Sequence, residues 1–308
     1  MLEITRIDHI CMAVPELEPA AAVFEQLFGF RRVGEWVQER DANRGAMFDV
    51  PGISGVDWEL LAPSGGDSQL WRFLESPNGP GLHHVALRVS DVNAAAEELR
   101  RLGIEPWGQP SAAPGEDWRE VHIHPRRGGN GFLFQLYSAD GDAPWRHADL
   151  PTEAAEEEHA LGVVAINHLS HAHPDREQLS RWYEIVLGMR TCYRSTDAEQ
   201  GGEESDFSTQ VLETSTAQMR WEILQPRGEH SFVQRFLDAR GPTMHHVAFE
   251  VADWERAVAA CDHHGVTIFG AREGETGGAL WREAFIDPRH TVGLLAQFFW
   301  QERPGVWT

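Results

Sequence analysis

Leu82-His83-His84-Val85-Ala86 and Met244-His245-His246-Val247-Ala248 are one pattern written twice, 162 residues apart. In each, a pair of histidines interrupts a run otherwise suited to a buried strand. Outward from this pair, three further segments recur in the same order. Arg6-Ile7-Asp8-His9-Ile10 answers to Ala165-Ile166-Asn167-His168-Leu169. Trp58-Glu59-Leu60-Leu61 answers to Trp221-Glu222-Ile223-Leu224, and Gly131-Phe132-Leu133-Phe134-Gln135 to Gly293-Leu294-Leu295-Ala296-Gln297. Positions 9 and 168, 59 and 222, 84 and 246, and 135 and 297 thus carry the same residue, at spacings of 159, 163, 162 and 162. Spacings this constant mean internal duplication. Trp118-Arg119-Glu120 with Trp281-Arg282-Glu283, and Arg72-Phe73-Leu74-Glu75 with Arg235-Phe236-Leu237-Asp238, follow the same rule.

A chain of 308 residues has room for two domains. The expected division is 1–140 and 161–303, joined by a linker over 141–160 that is polar, Pro-containing and acidic (Glu153, Glu156, Glu157, Glu158). Each half divides again. In the first quarter, residues 7–14 read as a strand and 17–27 as an amphipathic helix ending near Gly29. Strands follow at 31–37, 44–50 and 56–61. The second quarter opens with a strand at 84–89. Asp91 is placed to cap a helix over 92–102 that Gly103 stops, and strands follow near Glu105, at 120–123 and at 131–137. The predicted order is βαβββ, four times over: an α+β fold of curved mixed sheets, helices on one face and a cavity on the other.

The recurring residues are oxygen and nitrogen donors set in apolar strands: His9, Glu59, His84 and Gln135 in one half, His168, Glu222, His246 and Gln297 in the other. Polar groups facing an interior need partners, and one metal ion supplies a partner to all four. Two imidazoles, a carboxylate and an amide suit a divalent ion such as Mn, Co, Ni, Zn or Fe. The lack of thiolate in the set argues against a closed structural zinc site. A single carboxylate leaves the ion net positive, which favours an enolate or another oxyanion. Arg119 and Arg282 are candidates to hold a substrate carboxylate or phosphate. His122 is a candidate pocket residue.

These segments resemble the vicinal oxygen chelate superfamily, which includes glyoxalase I, methylmalonyl-CoA epimerase, fosfomycin-resistance proteins and type I extradiol dioxygenases. The nearest local likeness is to methylmalonyl-CoA epimerase, carried by Phe73-Leu74-Glu75 through Gly81-Leu82-His83-His84-Val85-Ala86, and by Ile123-His124-Pro125-Arg126 through Gly131-Phe132-Leu133-Phe134-Gln135. The resemblance covers nearly the whole chain, twice, and implies two glyoxalase-like domains. In each His-His pair it selects the second histidine as ligand. Strand alternation then sends His83 and His245 to the other face. In the epimerase the second ligand position holds Gln and the last holds Glu; in this chain the two are exchanged. That family's acidic base after the second strand has no clear counterpart, Asp41 being the nearest acid.

The resemblance implies a metal-dependent isomerase, epimerase or lyase that works through a metal-stabilised enolate on a small carbonyl or thioester substrate. Glu59 and Glu222 would serve as ligand and base, in the manner of glyoxalase I. The alternatives are a ring-cleaving extradiol dioxygenase using Fe(II) and a non-catalytic binding or resistance protein. A formal net charge of −22 excludes nucleic acid and anionic membrane as natural partners. Three scattered cysteines, Cys11, Cys192 and Cys261, form no disulfide framework. With no apolar run long enough to span a bilayer, the expected setting is the cytoplasm, as a monomer or homodimer.

Overall fold

A computed structural model describes residues 1–108, 118–140, 158–195 and 206–305. Most of the expected linker, residues 141–157, lies outside the described residues. The first half runs β1 (Ile4–Ala13), α1 (Leu17–Gln26), β2 (Arg31–Gln38), β3 (Asn43–Asp49), β4 (Asp57–Pro63), α2 (Leu70–Leu74), β5 (Gly81–Val89), α3 (Val92–Arg101), β6 (Trp118–Ile123) and β7 (Leu133–Ala139). The second half runs β8 (Val163–Ala172), α4 (Arg176–Leu187), β9 (Arg190–Arg194), β10 (Phe207–Glu213), β11 (Arg220–Pro226), α5 (Phe232–Arg240), β12 (Thr243–Val251), α6 (Trp254–His263), β13 (Ile268–Thr276), β14 (Ala279–Ile286) and β15 (Ala296–Gln301).

The helices start where the sequence says they must. Asp91 accepts from the backbone N–H of Asn93 and Ala94 at the head of α3. Asp175 and Asp253 do the same work at α4 and α6. Each cap satisfies donors that the first helical turn leaves open. A helix between two strands of one sheet returns the chain parallel to its start, whereas a tight turn reverses it. Accordingly β8 pairs parallel with β11, β12 with β15, and β5 with β7, while β2–β3, β3–β4, β10–β11, β13–β14 and β14–β15 are antiparallel.

The result is two mixed sheets. One has seven strands in the order β2-β3-β4-β1-β5-β7-β6; the other has eight, in the order β13-β14-β15-β12-β8-β11-β10-β9. The first module is therefore hydrogen-bonded to the second through β1 and β5, and the third to the fourth through β8 and β12. Among the described residues, three modules show the full βαβββ order and the second does not. The strand expected near Glu105 is reduced to one bridge, Trp107 with His122. Pro106 precedes that bridge without an N–H to give a ladder. Residues 109–117, which follow, lie outside the described residues.

The chain forms two compact units. One comprises the described residues within 1–9, 84–144 and 168–245; its core groups Phe134, Trp182, Tyr183 and Trp221. The other comprises those within 10–83, 145–167 and 246–308; its core groups Phe24, Phe28, Phe30, Trp58 and Phe249. Trp58 and Trp221, duplicates of each other, are fully buried and hold equivalent places in the two cores. Among the described residues, no helix is long and apolar enough to cross a membrane.

Candidate metal centres

Four neighbouring strands of the seven-stranded sheet, β4-β1-β5-β7, carry Glu59, His9, His84 and Gln135 in that order. In the eight-stranded sheet, β15-β12-β8-β11 carry Gln297, His246, His168 and Glu222. The side chains alternate in step with the pleat, so each set gathers on one face. His9, Glu59 and His84 present ligand atoms that all lie within 4.8 Å of one another, and His168, Glu222 and His246 do likewise. All six residues are buried.

In the first set, His9 Nδ1 lies 2.9 Å from Asp8 Oδ2. Asp8 also accepts from the Tyr137 hydroxyl at 2.7 Å, and Arg6 Nε stands 3.7 Å from it. Burial alone would raise the Asp8 carboxyl; the hydrogen bond and charge of His9, with Tyr137 and Arg6, bring it below the ordinary range. An ionised Asp8 on Nδ1 leaves Nε2 as the basic nitrogen of His9, the usual orientation of a metal-ligating imidazole. The His9 and His84 rings meet edge to face, with centroids 5.6 Å apart. In the second set, His168 Nε2 is 3.7 Å from Glu222 Oε2, and Thr209 Oγ1 donates to Glu222 Oε1 at 2.9 Å. Burial pushes His168 down to about 3, so its imidazole is neutral and able to coordinate.

The glutamines supply the decisive observation. Gln135 Nε2 donates to Glu120 Oε2, and Gln297 Nε2 donates to Glu283 Oε2 at 2.8 Å. Each amide is thereby fixed with its oxygen as the remaining polar atom. Both oxygens, Gln135 Oε1 and Gln297 Oε1, are buried and accept no hydrogen bond. An orphaned buried acceptor is costly, and a divalent cation is the partner that an amide oxygen beside two imidazoles and a carboxylate fits. The residues present therefore fit a metal ion in both halves.

A roof of apolar side chains adjoins each set. Cys11, Ala13 and Leu61 pack with Leu70 and Leu74 of α2, joined by Trp36, Trp71 and Phe73. Ala172 and Leu224 pack with Val233 of α5, joined by Phe207, Phe232, Phe236 and Leu237. The recurring Arg-Phe-Leu segment builds these short helices. His83 and His245 do not face away as alternation alone predicts. Each is drawn against its helix: His83 meets Phe73 edge-on at 4.7 Å, and His245 meets Phe236 at 4.7 Å. His83 also brings a ring nitrogen within 4.8 Å of Cys11 Sγ and of His84.

The remaining candidates separate. His122 pairs in register with Gln135, and its Nε2 is 3.9 Å from Glu120 Oε2, which places it beside the first set. Burial pushes its imidazole down, against the pull of Glu120. Its counterpart in the second half is Phe285, paired with Gln297 and 5.5 Å from the His246 ring. Arg282 is taken up elsewhere: it pairs with Glu255 at 2.8 Å and Glu273 at 3.3 Å, and lies over Trp300. Arg119 is exposed, opposite Ser138 in the ladder. The structure brings neither arginine to the ligand sets. In the Trp-Arg-Glu repeat it is the glutamate that serves the site, because a strand turns alternate residues to opposite faces. Asp8, Glu120, Glu283 and Thr209 were all missed from sequence. The first three stand inside the recurring segments, but only the folded register shows which ligand each one holds. Asp41 lies in a 3-10 turn between β2 and β3.

A family model of the glyoxalase/bleomycin resistance protein/dioxygenase superfamily matches residues 8–121 and again 167–285. The chain belongs to that superfamily. Both matched segments open one residue before a first-strand histidine, His9 or His168. Within the superfamily, the chain is 33% identical over 134 residues to ethylmalonyl-CoA/methylmalonyl-CoA epimerase of Cereibacter sphaeroides, covering 43% of this chain and 97% of the relative. Among solved structures, a mutant of 4-hydroxymandelate synthase from Streptomyces coelicolor superposes with a TM-score of 0.69 at 14% identity, covering 98% of this chain and 94% of that one. The Mn(II)-bound glyoxalase from Novosphingobium aromaticivorans superposes with a TM-score of 0.61 at 18% identity, covering 97% and 83%. Identities this low show the shared fold of the superfamily and nothing finer.

Proposed function

We propose that each half holds one divalent metal ion and that the protein is an isomerase, epimerase or lyase acting on the carbon next to a small molecule's carbonyl or thioester. The observation that carries this reading is the pair of buried amide oxygens, Gln135 Oε1 and Gln297 Oε1, each pinned beside a His-Glu-His cluster. The epimerase relative supports the choice of a thioester with an acidic α C–H. His9, Glu59, His84 and Gln135 would hold one ion; His168, Glu222, His246 and Gln297 would hold the other. A divalent ion there supplies positive charge against a substrate oxygen as it becomes anionic.

The chain's own part is to place the substrate and move the proton. Glu59 and Glu222 are the carboxylates at hand to take it from the α carbon and return it. The Thr209 hydroxyl holds one oxygen of Glu222, which fixes the direction of the other. The roof over each set, Trp36, Trp71 and Phe73 on one side and Phe207, Phe232 and Phe236 on the other, excludes water and gives an apolar surface to a small acyl group.

The test is metal content per chain by elemental analysis, for the wild type, Glu59→Ala and Glu222→Ala, with NMR of a methylmalonyl thioester in deuterated water. Two equivalents of Mn, Co, Ni or Zn, each lost with its own variant, and exchange of the α proton are expected. One equivalent of iron, lost only with Glu222→Ala, would instead favour ring cleavage by a dioxygenase. Failure to bind metal in any preparation would sink both readings and leave a binding protein.

A further inference from the structure

We propose that the seven-stranded sheet carries a second, overlapping metal site for a thiophilic cation, formed by Cys11, His83 and His84. Cys11 Sγ and one ring nitrogen from each histidine lie within 4.8 Å of one another. Strand alternation explains Cys11: it stands two residues beyond His9 on β1 and shares its face. Packing explains His83, which the Phe73 ring of α2 holds at 4.7 Å. Cys11 is fully buried within the apolar roof, and His83 lies against Phe73 of that roof.

The two ligand groups in this sheet share His84. An ion taken by Cys11, His83 and His84 therefore withdraws His84 from Glu59 and His9. The donor chemistries differ. The first group offers a carboxylate and an amide oxygen with its imidazoles, which suits Mn, Co or Ni. The second has one sulfur in place of both oxygens, which favours soft ions such as Cd or Cu(I). Donors on one tetrahedral ion at about 2.0 Å for nitrogen and about 2.3 Å for sulfur stand roughly 3.5 Å apart. On binding, the cation replaces the thiol proton of Cys11, which passes to solvent; no electrons move.

The duplication provides an internal control. Ser170 occupies the place of Cys11 in the second half. There His245 and His246 recur, but among the described residues the metal-capable cluster is His168, Glu222 and His246 alone. The halves thus differ in ion preference, the first being poisoned by thiophilic ions that the second tolerates.

Cadmium titration of the metal-stripped, full-length protein tests this by ultraviolet absorption. A sulfur-to-cadmium charge-transfer band saturating at one equivalent is expected, with release of one proton read by a pH indicator. Cys11→Ser should abolish the band, His83→Gln should weaken cadmium binding by at least about tenfold, and Cys192→Ser should leave the band unchanged. Manganese uptake by Cys11→Ser should still reach the wild-type stoichiometry. That measurement separates failure of this site from failure of the proposed function, and with the thermal midpoint it shows that the variant folds. A band that survives Cys11→Ser would overturn the inference. So would cadmium that binds stoichiometrically with no band at all, since it would then sit on the nitrogen and oxygen donors alone.

Discussion

Glu283 decides which end of the Gln297 amide is left to face a cation, because it accepts from the amide nitrogen. Without that carboxylate the amide is free to turn its NH2 end inward, where it repels a cation. Glu283 is itself held by Arg272, whose Nε donates to Glu283 Oε1 at 2.8 Å. Glu283→Ala should therefore weaken metal binding in the second half by about 10- to 100-fold while leaving the first half unchanged. Competition with a chelating dye would read the loss; equal affinity in variant and wild type would show that Glu283 only completes the ion pair. His171 makes a second prediction at this scale. It is buried, three residues past His168, with Nδ1 at 2.7 Å from the Tyr183 hydroxyl and Nε2 at 3.1 Å from the Asn130 carbonyl. The carbonyl can only accept, so Nε2 carries the proton and Nδ1 accepts from Tyr183. Burial, with the charge of His173, pushes this imidazole down from 6.5 to about 3. Between those values the unfolded chain binds a proton that the folded one refuses. Stability therefore falls as pH drops through that window, by up to about 1.4 kcal/mol per pH unit. Urea unfolding from pH 7 to pH 4 should show such a slope, and His171→Gln should reduce it by that residue's share, while buried His168 and His245 keep theirs. A variant slope equal to wild type would place the acid sensitivity elsewhere.

At the scale of elements, the loops leading to the glutamine strands are tightly specified. Gly131 and Gly293 have φ of +92° and +94°. A Cβ at Gly131 would come 1.6 Å from the Pro242 carbonyl oxygen, and one at Gly293 would come 2.2 Å from that of Pro80. Both demands, left-handed backbone and close approach, exclude any side chain. Gly131→Ala should cost at least about 3 kcal/mol, seen as a drop in thermal midpoint; a shift of a degree or two would mean that the loop simply moves aside. The capping change Asp91→Ala should cost only about 1 kcal/mol by the same measurement, since it removes one side chain's bonds to Asn93 and Ala94. These elements also show what was legible in the chain. The strands around His9, Glu59, His84 and Gln135 are legible because each is a short, mostly apolar run and recurs in the other half. The capped helix after Asp91 was found because its stop and start signals are local. The α2 and α5 helices leave little mark beyond the repeated Arg-Phe-Leu: the five residues of α2 and the nine of α5 are too few to show a period of 3.6 clearly. Module pairing was equally hidden, since β1 meets β5 through backbone hydrogen bonds that leave no mark on composition. Thr209 escaped for the same reason: its contact with Glu222 depends on the register between β10 and β11.

On the scale of the whole molecule, duplication has kept the ligands and changed their support. His9 leans on the carboxylate of Asp8, which Tyr137 also engages. At the matching place before His168 stands Asn167, whose amide is turned to Glu250 at 3.4 Å. Phe299 replaces Tyr137, and Phe285 replaces His122. A carboxylate behind an imidazole raises its basicity and fixes its tautomer, and removing such a partner typically costs 10- to 100-fold in metal affinity. The two halves should therefore not bind metal alike. Manganese titration of the stripped protein is expected to be biphasic, with the tighter phase lost in Glu59→Ala and the weaker phase lost in Glu222→Ala. Asp8→Asn makes the first half resemble the second at this position, so it should bring the two phases together. Tyr137→Phe, which removes one bond to Asp8 but leaves its charge, should narrow the gap much less. A single phase in the wild type would mean that the roofs and glutamines, common to both halves, set affinity on their own. Two phases that stay apart in Asp8→Asn would move the cause of the difference to His122, which Phe285 replaces in the second half.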